Sequence, residues 1–129
     1  MLGASVRRVL VADDDEDIVE LLRINLEAHG YEVSAVRDGQ AALDSARRDP
    51  PDLVVLDWMM PVKDGMETLA ELKADEKLCD LPVVMITAKA TDSDVWEGWQ
   101  AGADFYITKP FDLDELMRFI GFLRVNVDC

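Results

Sequence analysis

Short runs of consecutive apolar residues alternate along this chain with longer segments in which apolar residues recur every three or four positions. The first pattern indicates strands buried on both faces, and the second indicates helices with one buried face. The predicted strands span residues 6–12, 31–36, 52–57, 82–86 and 104–108, and the predicted helices span residues 16–29, 39–48, 66–74, 92–101 and 112–124. Strand and helix therefore alternate five times.

Glycine and proline mark where several of these helices end or weaken. Gly30 follows the first helix as a stop signal, and Pro50 and Pro51 end the second. Gly98 lies inside the fourth helix, where a glycine costs about 1 kcal/mol relative to alanine. We therefore expect the fourth helix to be weaker than the others and mobile.

Five strand–helix units in 129 residues predict one domain, residues 1–129, built on a parallel sheet with helices on both faces. Right-handed crossovers leave few topologies for such a chain. We expect the flavodoxin-like, doubly wound (βα)5 fold with strand order 2-1-3-4-5. In that order the first and third strands lie side by side at the centre, where the direction of winding switches.

Charge narrows the possible partners. The formal net charge is -14 and the pI is about 4.2, so the surface repels nucleic acid and anionic lipid. We expect no direct nucleic acid binding by this chain. We also expect no contact with a membrane and a cytoplasmic location, because the sequence contains neither a membrane-length apolar run nor a signal peptide. The single histidine, His29, excludes a Ser/His/Asp triad and zinc sites built on histidine pairs.

Polar side chains follow four of the predicted strands. Asp13 and Asp14 follow the first strand, Asp57 ends the third, Thr87 follows the fourth and Lys109 follows the fifth. The carboxyl ends of parallel strands share one edge of the sheet, where ligands bind. We therefore expect the five side chains to converge there. Each alone has an ordinary structural explanation, such as a helix cap or a turn, but together they favour a functional site.

Three carboxylates at one point repel each other unless a cation neutralises them or a pKa rises. Oxygen ligands that leave room for water and phosphate favour Mg²⁺. We expect Asp14 and Asp57 to bind the metal directly and Asp13 to bind it through water. The backbone carbonyl of Met59 is expected to complete the protein ligands.

A carboxylate beside Mg²⁺ can attack a phosphoryl group and form an aspartyl phosphate. Asp57 is the candidate phosphoacceptor because it lies at the centre of the sheet edge. Lys109 and the hydroxyl of Thr87 are candidates for binding the phosphoryl oxygens. Ala88 leaves the approach open and offers a backbone N–H group.

The chain resembles the receiver domains of two-component response regulators. The matching segments are VLVADDD (9–15), DLVVLDWMMP (52–61), DG (64–65), PVVMITA (82–88), AGADFY (101–106) and TKPF (108–111). The resemblance implies that Asp57 accepts a phosphoryl group, with Mg²⁺, from a sensor histidine kinase or phosphotransfer protein. It implies a phosphoacceptor that assists its own phosphorylation and dephosphorylation, and not an enzyme with a separate substrate.

The resemblance also implies a switch. The Lys109–Pro110 bond is expected to be cis, with Pro110 helping to aim the lysine. Thr87 is expected to move toward the phosphoryl group, and Tyr106 then turns inward. These movements change the face formed by helix four, strand five and helix five, which a downstream effector or a second copy of the chain reads.

Several positions depart from patterns common in this family. Trp58 follows the acceptor where a smaller aliphatic is more usual, and we expect it to shield the site or to report Mg²⁺ binding by fluorescence. Met59 and Lys89 predict slow autodephosphorylation, because Met59 cannot orient an attacking water. Val95 and Phe119 stand where winged-helix regulators of this family usually carry basic residues that bridge an active dimer. Their apolar side chains favour a hydrophobic contact with a partner or a second copy instead.

Four aromatic residues add apolar area to the fourth and fifth predicted helices. We expect most of them to be core residues and one or two to form an exposed patch. They are Trp96, Trp99, Phe119 and Phe122.

The sequence leaves several alternative functions open. A Mg²⁺-dependent phosphatase with an aspartate nucleophile requires an acidic residue where Met59 stands. A flavin protein requires a phosphate-binding loop after the first strand, where this chain is acidic. A receiver-like interaction module that is never phosphorylated, and the receiver part of a longer transcriptional regulator, also fit the sequence.

Overall fold

The computed structural model describes residues 6–88 and 91–123, which form a five-stranded parallel sheet covered by five helices. The strands are β1 (Arg8–Ala12), β2 (Glu32–Val36), β3 (Leu53–Asp57), β4 (Val83–Thr87) and β5 (Phe105–Thr108). The helices are α1 (Glu16–Ala28), α2 (Gly39–Arg48), α3 (Gly65–Ala74), α4 (Asp92–Gln100) and α5 (Leu113–Phe122). The strand order is β2-β1-β3-β4-β5, which confirms the predicted flavodoxin-like topology.

Boundaries differ from the predicted ones by one or two residues at several ends. β1 starts at Arg8, two residues later than predicted, and β4 extends to Thr87. α3 starts at Gly65, because the Asp64 carboxylate accepts a hydrogen bond from the N–H of Glu67 in a capping box. Arg124, the predicted end of the last helix, lies outside the described residues.

Two apolar layers hold the helices against the sheet. Alternate residues of the central strands point to opposite faces, so Val54 and Leu56 pack in one layer while Leu53 and Val55 pack in the other. All residues of β3 and β4 are buried, whereas β2 at the edge is partly exposed. The polar ends of the central strands are thereby fixed by the most buried part of the fold.

Aspartate caps the N-terminus of four helices and threonine caps that of α4. Asp15, Asp38, Asp64 and Asp112 cap α1, α2, α3 and α5, respectively, by accepting backbone N–H bonds. Part of the acidity of the chain therefore stabilises helices. Within the cluster after β1, Asp15 is the cap, which leaves the preceding carboxylates available for a site.

The aromatic residues of α4 and α5 are more exposed than predicted. The exposed fractions are 66% for Trp96, 45% for Trp99 and 82% for Phe122, whereas Phe119 is half-buried and stacks on Phe105 with ring centroids 4.2 Å apart. The expectation that most of these residues are core was wrong. Helical spacing alone does not say which face of a short helix meets the sheet. Within the described residues, no helix is long and apolar enough to cross a membrane.

Candidate functional site

The carboxyl ends of β1 and β3 bring three carboxylates together. These strands are neighbours, with Ala12 paired to Leu56, so Asp13, Asp14 and Asp57 follow at the same edge. One carboxylate oxygen from each residue lies within 4.8 Å of the others. Asp13 and Asp57 are 3% and 5% exposed, respectively, whereas Asp14 is open to solvent. The cluster therefore has two buried carboxylates and one exposed carboxylate.

Lys109 lies over the two buried carboxylates. Its Nζ atom is 3.0 Å from Oδ2 of Asp13 and 3.3 Å from Oδ2 of Asp57. The lysine follows β5, and its backbone N–H donates to the carbonyl of Thr87 at 2.8 Å, which ties the ends of β4 and β5 together. The peptide bond between Lys109 and Pro110 is cis. The ammonium group thus neutralises part of the buried negative charge.

Burial shapes the charge state of this cluster. Burial and, after it, the charge of Asp13 raise the pKa of Asp57, Lys109 opposes both effects, and the net result is a pKa of about 6. Burial lowers the pKa of Lys109, but its bonds and attractions to the two carboxylates outweigh burial, and the net shift of its pKa is upward. At neutral pH most of the molecules therefore carry an ionised Asp57 beside a charged lysine.

The loop between β3 and α3 folds back over the acceptor strand. The N–H of Met59 approaches Oδ1 of Asp57 at 3.4 Å, and the N–H of Gly65 donates to the carbonyl of Trp58 at 2.7 Å. Between them Val62 has a positive φ of 69°, inside a tight turn. Gly65 is required at its position, since a Cβ there would lie 2.3 Å from the carbonyl oxygen of Asp57.

An open cavity of about 450 Å³ lies beside the acceptor, lined by Trp58, Met59, Met60 and Asp64. The side chain of Met59 is 59% exposed, whereas Trp58 is only 6% exposed. The two residues that follow the acceptor are therefore a buried indole and a thioether open to solvent.

Thr87 ends β4 next to the acceptor strand and is fully buried. Asp57 pairs with Ile86, so the threonine lies one position beyond the partner of the acceptor. Ala88 follows and is exposed. Lys89 lies outside the described residues. The structure thus brings to one sheet edge the acidic residues, the threonine and the lysine that the sequence pointed to.

Tyr106 packs against the apolar layer that contains Val54 and Leu56, and it contacts two residues that the sequence did not connect with it. Its ring meets the ring of Trp58 edge-on, with centroids 6.4 Å apart and planes at 85°. On its other side it packs against Gly98 of α4, where a Cβ would lie 2.6 Å from the ring. Burial, together with the nearby charges of Asp94 and Glu97, raises the pKa of Tyr106 to about 12. The glycine inside a helical pattern was the only sequence signal of this contact.

The donor set at the sheet edge fits a hard divalent cation. Three carboxylates with converging oxygens are ligands that Mg²⁺ prefers, and a bound cation would offset both the burial and the charge of Asp13 that raise the pKa of Asp57. The exposed position of Asp14 leaves one side of the cluster open to solvent.

Comparison with known proteins connects this geometry with a family. Residues 9–121 match the response regulator receiver domain. The chain is 43% identical over 121 residues to the DNA-binding dual master transcriptional regulator RpaA of Synechocystis sp., a match that covers 94% of this chain and 50% of that protein. The chain therefore spans about half the length of this curated relative.

Solved structures agree with the sequence match. The receiver domain of the Francisella response regulator 1452 superposes with a TM-score of 0.83 at 35% identity, covering 88% of this chain and 93% of that one. The receiver domain of the sensor histidine kinase PA1611 of Pseudomonas aeruginosa, which holds a magnesium ion in its active-site cleft, gives 0.82 at 32% identity, covering 90% and 95%. Sequence, strand order and acidic cluster lead to one conclusion: the chain belongs to the response regulator receiver domains of two-component systems.

Proposed function

We propose that Asp57 accepts a phosphoryl group from a phosphohistidine of a sensor histidine kinase or phosphotransfer protein. The observation that carries the proposal is the placement of its buried carboxylate beside Asp13 and Lys109 at the end of the central strand. In this role the chain is a phosphoacceptor that assists its own phosphorylation and dephosphorylation. Such a donor places the chain in the cytoplasm.

The metal of this reaction is proposed to be Mg²⁺. Asp14 and Asp57 would bind it directly, Asp13 through water, and the backbone carbonyl of Met59 would complete the set. The bound ion supplies positive charge that offsets the carboxylates and the incoming phosphoryl oxygens. The magnesium ion in the PA1611 receiver domain supports this assignment.

In the transfer, a carboxylate oxygen of Asp57 forms a bond to phosphorus as the bond from phosphorus to the donor imidazole breaks. The bonding electrons leave with the imidazole nitrogen, and the product is an aspartyl phosphate. Lys109 pairs with a phosphoryl oxygen in place of its present carboxylate partners. The hydroxyl of Thr87 and the N–H of Ala88 donate to the remaining oxygens. With a pKa of about 6, Asp57 is mostly ionised at neutral pH and ready to attack.

The output of this reaction is proposed to pass through Thr87 and Tyr106 to the face formed by α4, β5 and α5. Movement of the threonine toward the phosphoryl group frees space at the end of β4, and the tyrosine ring responds. A downstream effector or a second copy of the chain reads the altered face. The contact of Tyr106 with Trp58, the residue after the acceptor, offers a second physical link between the two sites.

A second candidate is the receiver part of a longer transcriptional regulator. It is favoured by the match to RpaA, of which the chain covers half. DNA binding would then belong to another segment, because a net charge of -14 repels DNA from this one.

The test of phosphoryl transfer is intact mass after incubation with Mg²⁺ and a small phosphoryl donor, such as acetyl phosphate or phosphoramidate. We expect one phosphoryl addition that disappears in Asp57→Asn and when the metal is chelated. Asp44→Asn, which changes an exposed carboxylate of α2, is the matched control and should keep the addition. No addition in folded protein that binds Mg²⁺ would favour the phosphorylation-independent module.

A further inference from the structure

Two indole rings lie on the solvent side of α4. Trp96 is 66% exposed and Trp99 is 45% exposed, and their spacing of three residues makes them neighbours on the helix surface. Tryptophan combines a large apolar area with a polar N–H group, and it is enriched among residues that dominate protein interfaces. We call these two residues the indole pair.

The opposite side of α4 is already engaged with the sheet. Gly98 is buried against the ring of Tyr106, and this contact fixes the rotation of the helix about its axis. Residues 96 and 98 of a helix point to nearly opposite sides, so Trp96 faces away from the sheet. The exposure of the indole pair is therefore a consequence of how α4 packs.

The charge around the indole pair has one sign. The nine residues of α4 include three acidic residues and no lysine or arginine. Asp94 and Glu97 lie close enough to Tyr106 for their charges to raise its pKa. The potential over this helix is therefore negative, within a chain whose net charge is -14.

We infer that the indole pair and the carboxylates beside it form a docking surface for a basic, amphipathic segment of a partner protein. Lysine or arginine side chains lie over the indole faces and pair with Glu97, while aliphatic residues cover the rest of the rings. A second copy of the chain is a poor occupant, because it brings an equally acidic α4 and another net charge of -14. The indole pair lies on the face formed by α4, β5 and α5, so this inference names the partner of the proposed output face and rests on that part of the proposed function, but not on phosphoryl transfer.

The experiment measures binding of a short synthetic amphipathic peptide whose polar face is all lysine, with a glutamate version as the negative probe. We expect the lysine peptide to bind the unphosphorylated chain and the glutamate peptide not to bind. Trp96→Ala should weaken binding at least about tenfold, as expected for a central interface tryptophan. Glu97→Gln should weaken it about threefold and reduce its dependence on salt. Ile24→Ala is the matched control, since Ile24 is 60% exposed on α1, which packs against the other apolar layer. The affinity of this variant for the lysine peptide should equal that of the wild type.

Other outcomes overturn the inference. Equal affinity of the wild type, Trp96→Ala and Ile24→Ala for the lysine peptide would show that the acidic surface as a whole attracts the peptide. Sedimentation of the chain as a dimer that Trp96→Ala converts to a monomer would assign the indole pair to a second copy. If Trp96→Ala loses its circular dichroism spectrum, Trp99→Ala replaces it, and unchanged affinity in that folded variant counts against the inference.

Discussion

Substitution of Gly98 by alanine tests how tightly α4 is fitted to Tyr106. At an exposed helical position the change is stabilising, because alanine exceeds glycine in helix propensity by about 1 kcal/mol. At Gly98 the new methyl group would lie 2.6 Å from Cδ2 and 2.7 Å from Cε2 of the tyrosine ring. Non-bonded carbon atoms in van der Waals contact are about 3.5 to 4 Å apart, so the ring must move by about 1 Å or turn away.

The expected cost exceeds the gain in propensity. Loss of the edge-on contact with Trp58 costs about 1 kcal/mol. Strain or lost burial of the tyrosine ring costs about 1 kcal/mol more. Set against the gain of about 1 kcal/mol, Gly98→Ala should lower the free energy of unfolding by about 1 kcal/mol.

Urea denaturation measures this effect, and Gly121→Ala is the matched control. Gly121 lies in α5, and a Cβ there meets nothing within 4 Å, so this change should stabilise the fold by about 0.5 kcal/mol. Spectrophotometric titration gives a second readout. If the ring of Tyr106 turns outward, its pKa should fall from about 12 toward the value of 10 for an exposed tyrosine.

A double-mutant cycle separates the ring from the helix. In a Tyr106→Ala background the clash is absent, and Gly98→Ala should become stabilising. The reasoning is refuted if Gly98→Ala raises stability as much as Gly121→Ala and leaves the pKa of Tyr106 unchanged. That result would mean that the space beside the ring is larger than the structure shows.

Four further perturbations probe the acceptor and the loop that follows it. Because burial and Asp13 raise the pKa of Asp57 from 3.8 to about 6, the fold favours the protonated carboxyl, and this stabilisation is lost as pH rises through 6. Relative to Asp57→Asn, the wild type should lose about 1 kcal/mol of unfolding free energy between pH 5 and 7.5, and identical pH profiles would contradict this. Added Mg²⁺ should change the fluorescence of the wild type but not that of Trp58→Phe, and a response that survives this substitution would assign the signal to the exposed indoles of α4. Met59→Asn should shorten the lifetime of the aspartyl phosphate at least about tenfold by orienting water, and a wild-type lifetime of seconds or less would contradict the proposed slow hydrolysis. Val62→Gly should raise the free energy of unfolding by about 0.5 kcal/mol in urea, because relief of positive-φ strain slightly exceeds the entropy cost of glycine, and a loss of stability would contradict that balance.

The sheet and its polar edge were predictable because both follow from short-range patterns. Asp57 ends a run of four apolar residues, and parallel strands bring their carboxyl ends together whatever the details of packing. The different roles of the neighbouring aspartates after β1 were harder to predict. Asp13 and Asp15 have the same chemistry, and only the backbone path after β1 makes one a site residue and the other a helix cap.

The contacts of α4 were not predictable, because they depend on tertiary packing. Gly98 inside a helical pattern predicts a weak point of the helix, whereas the structure shows close approach of this glycine to a tyrosine ring on the next strand. The apolar pattern does not say which of the aromatic residues of α4 and α5 are exposed, and Trp96 and Trp99 are both exposed once that contact sets the rotation of the helix. The positive φ of Val62 likewise has no signal in its sequence.

The strand register has a consequence for how this chain tolerates changes in its length. Ala12 pairs with Leu56, Asp57 with Ile86 and Thr87 with Thr108, so every site residue lies at or just past the end of a paired strand. Deleting one residue within β3 would turn the following side chains to the other face of the sheet and remove the acceptor carboxylate from its cluster. Insertions in the turns at the opposite edge, such as the one before β3, leave this register intact. Lineages of such chains can therefore gain and lose residues at one edge of the sheet while the chemistry at the other edge is inherited unchanged.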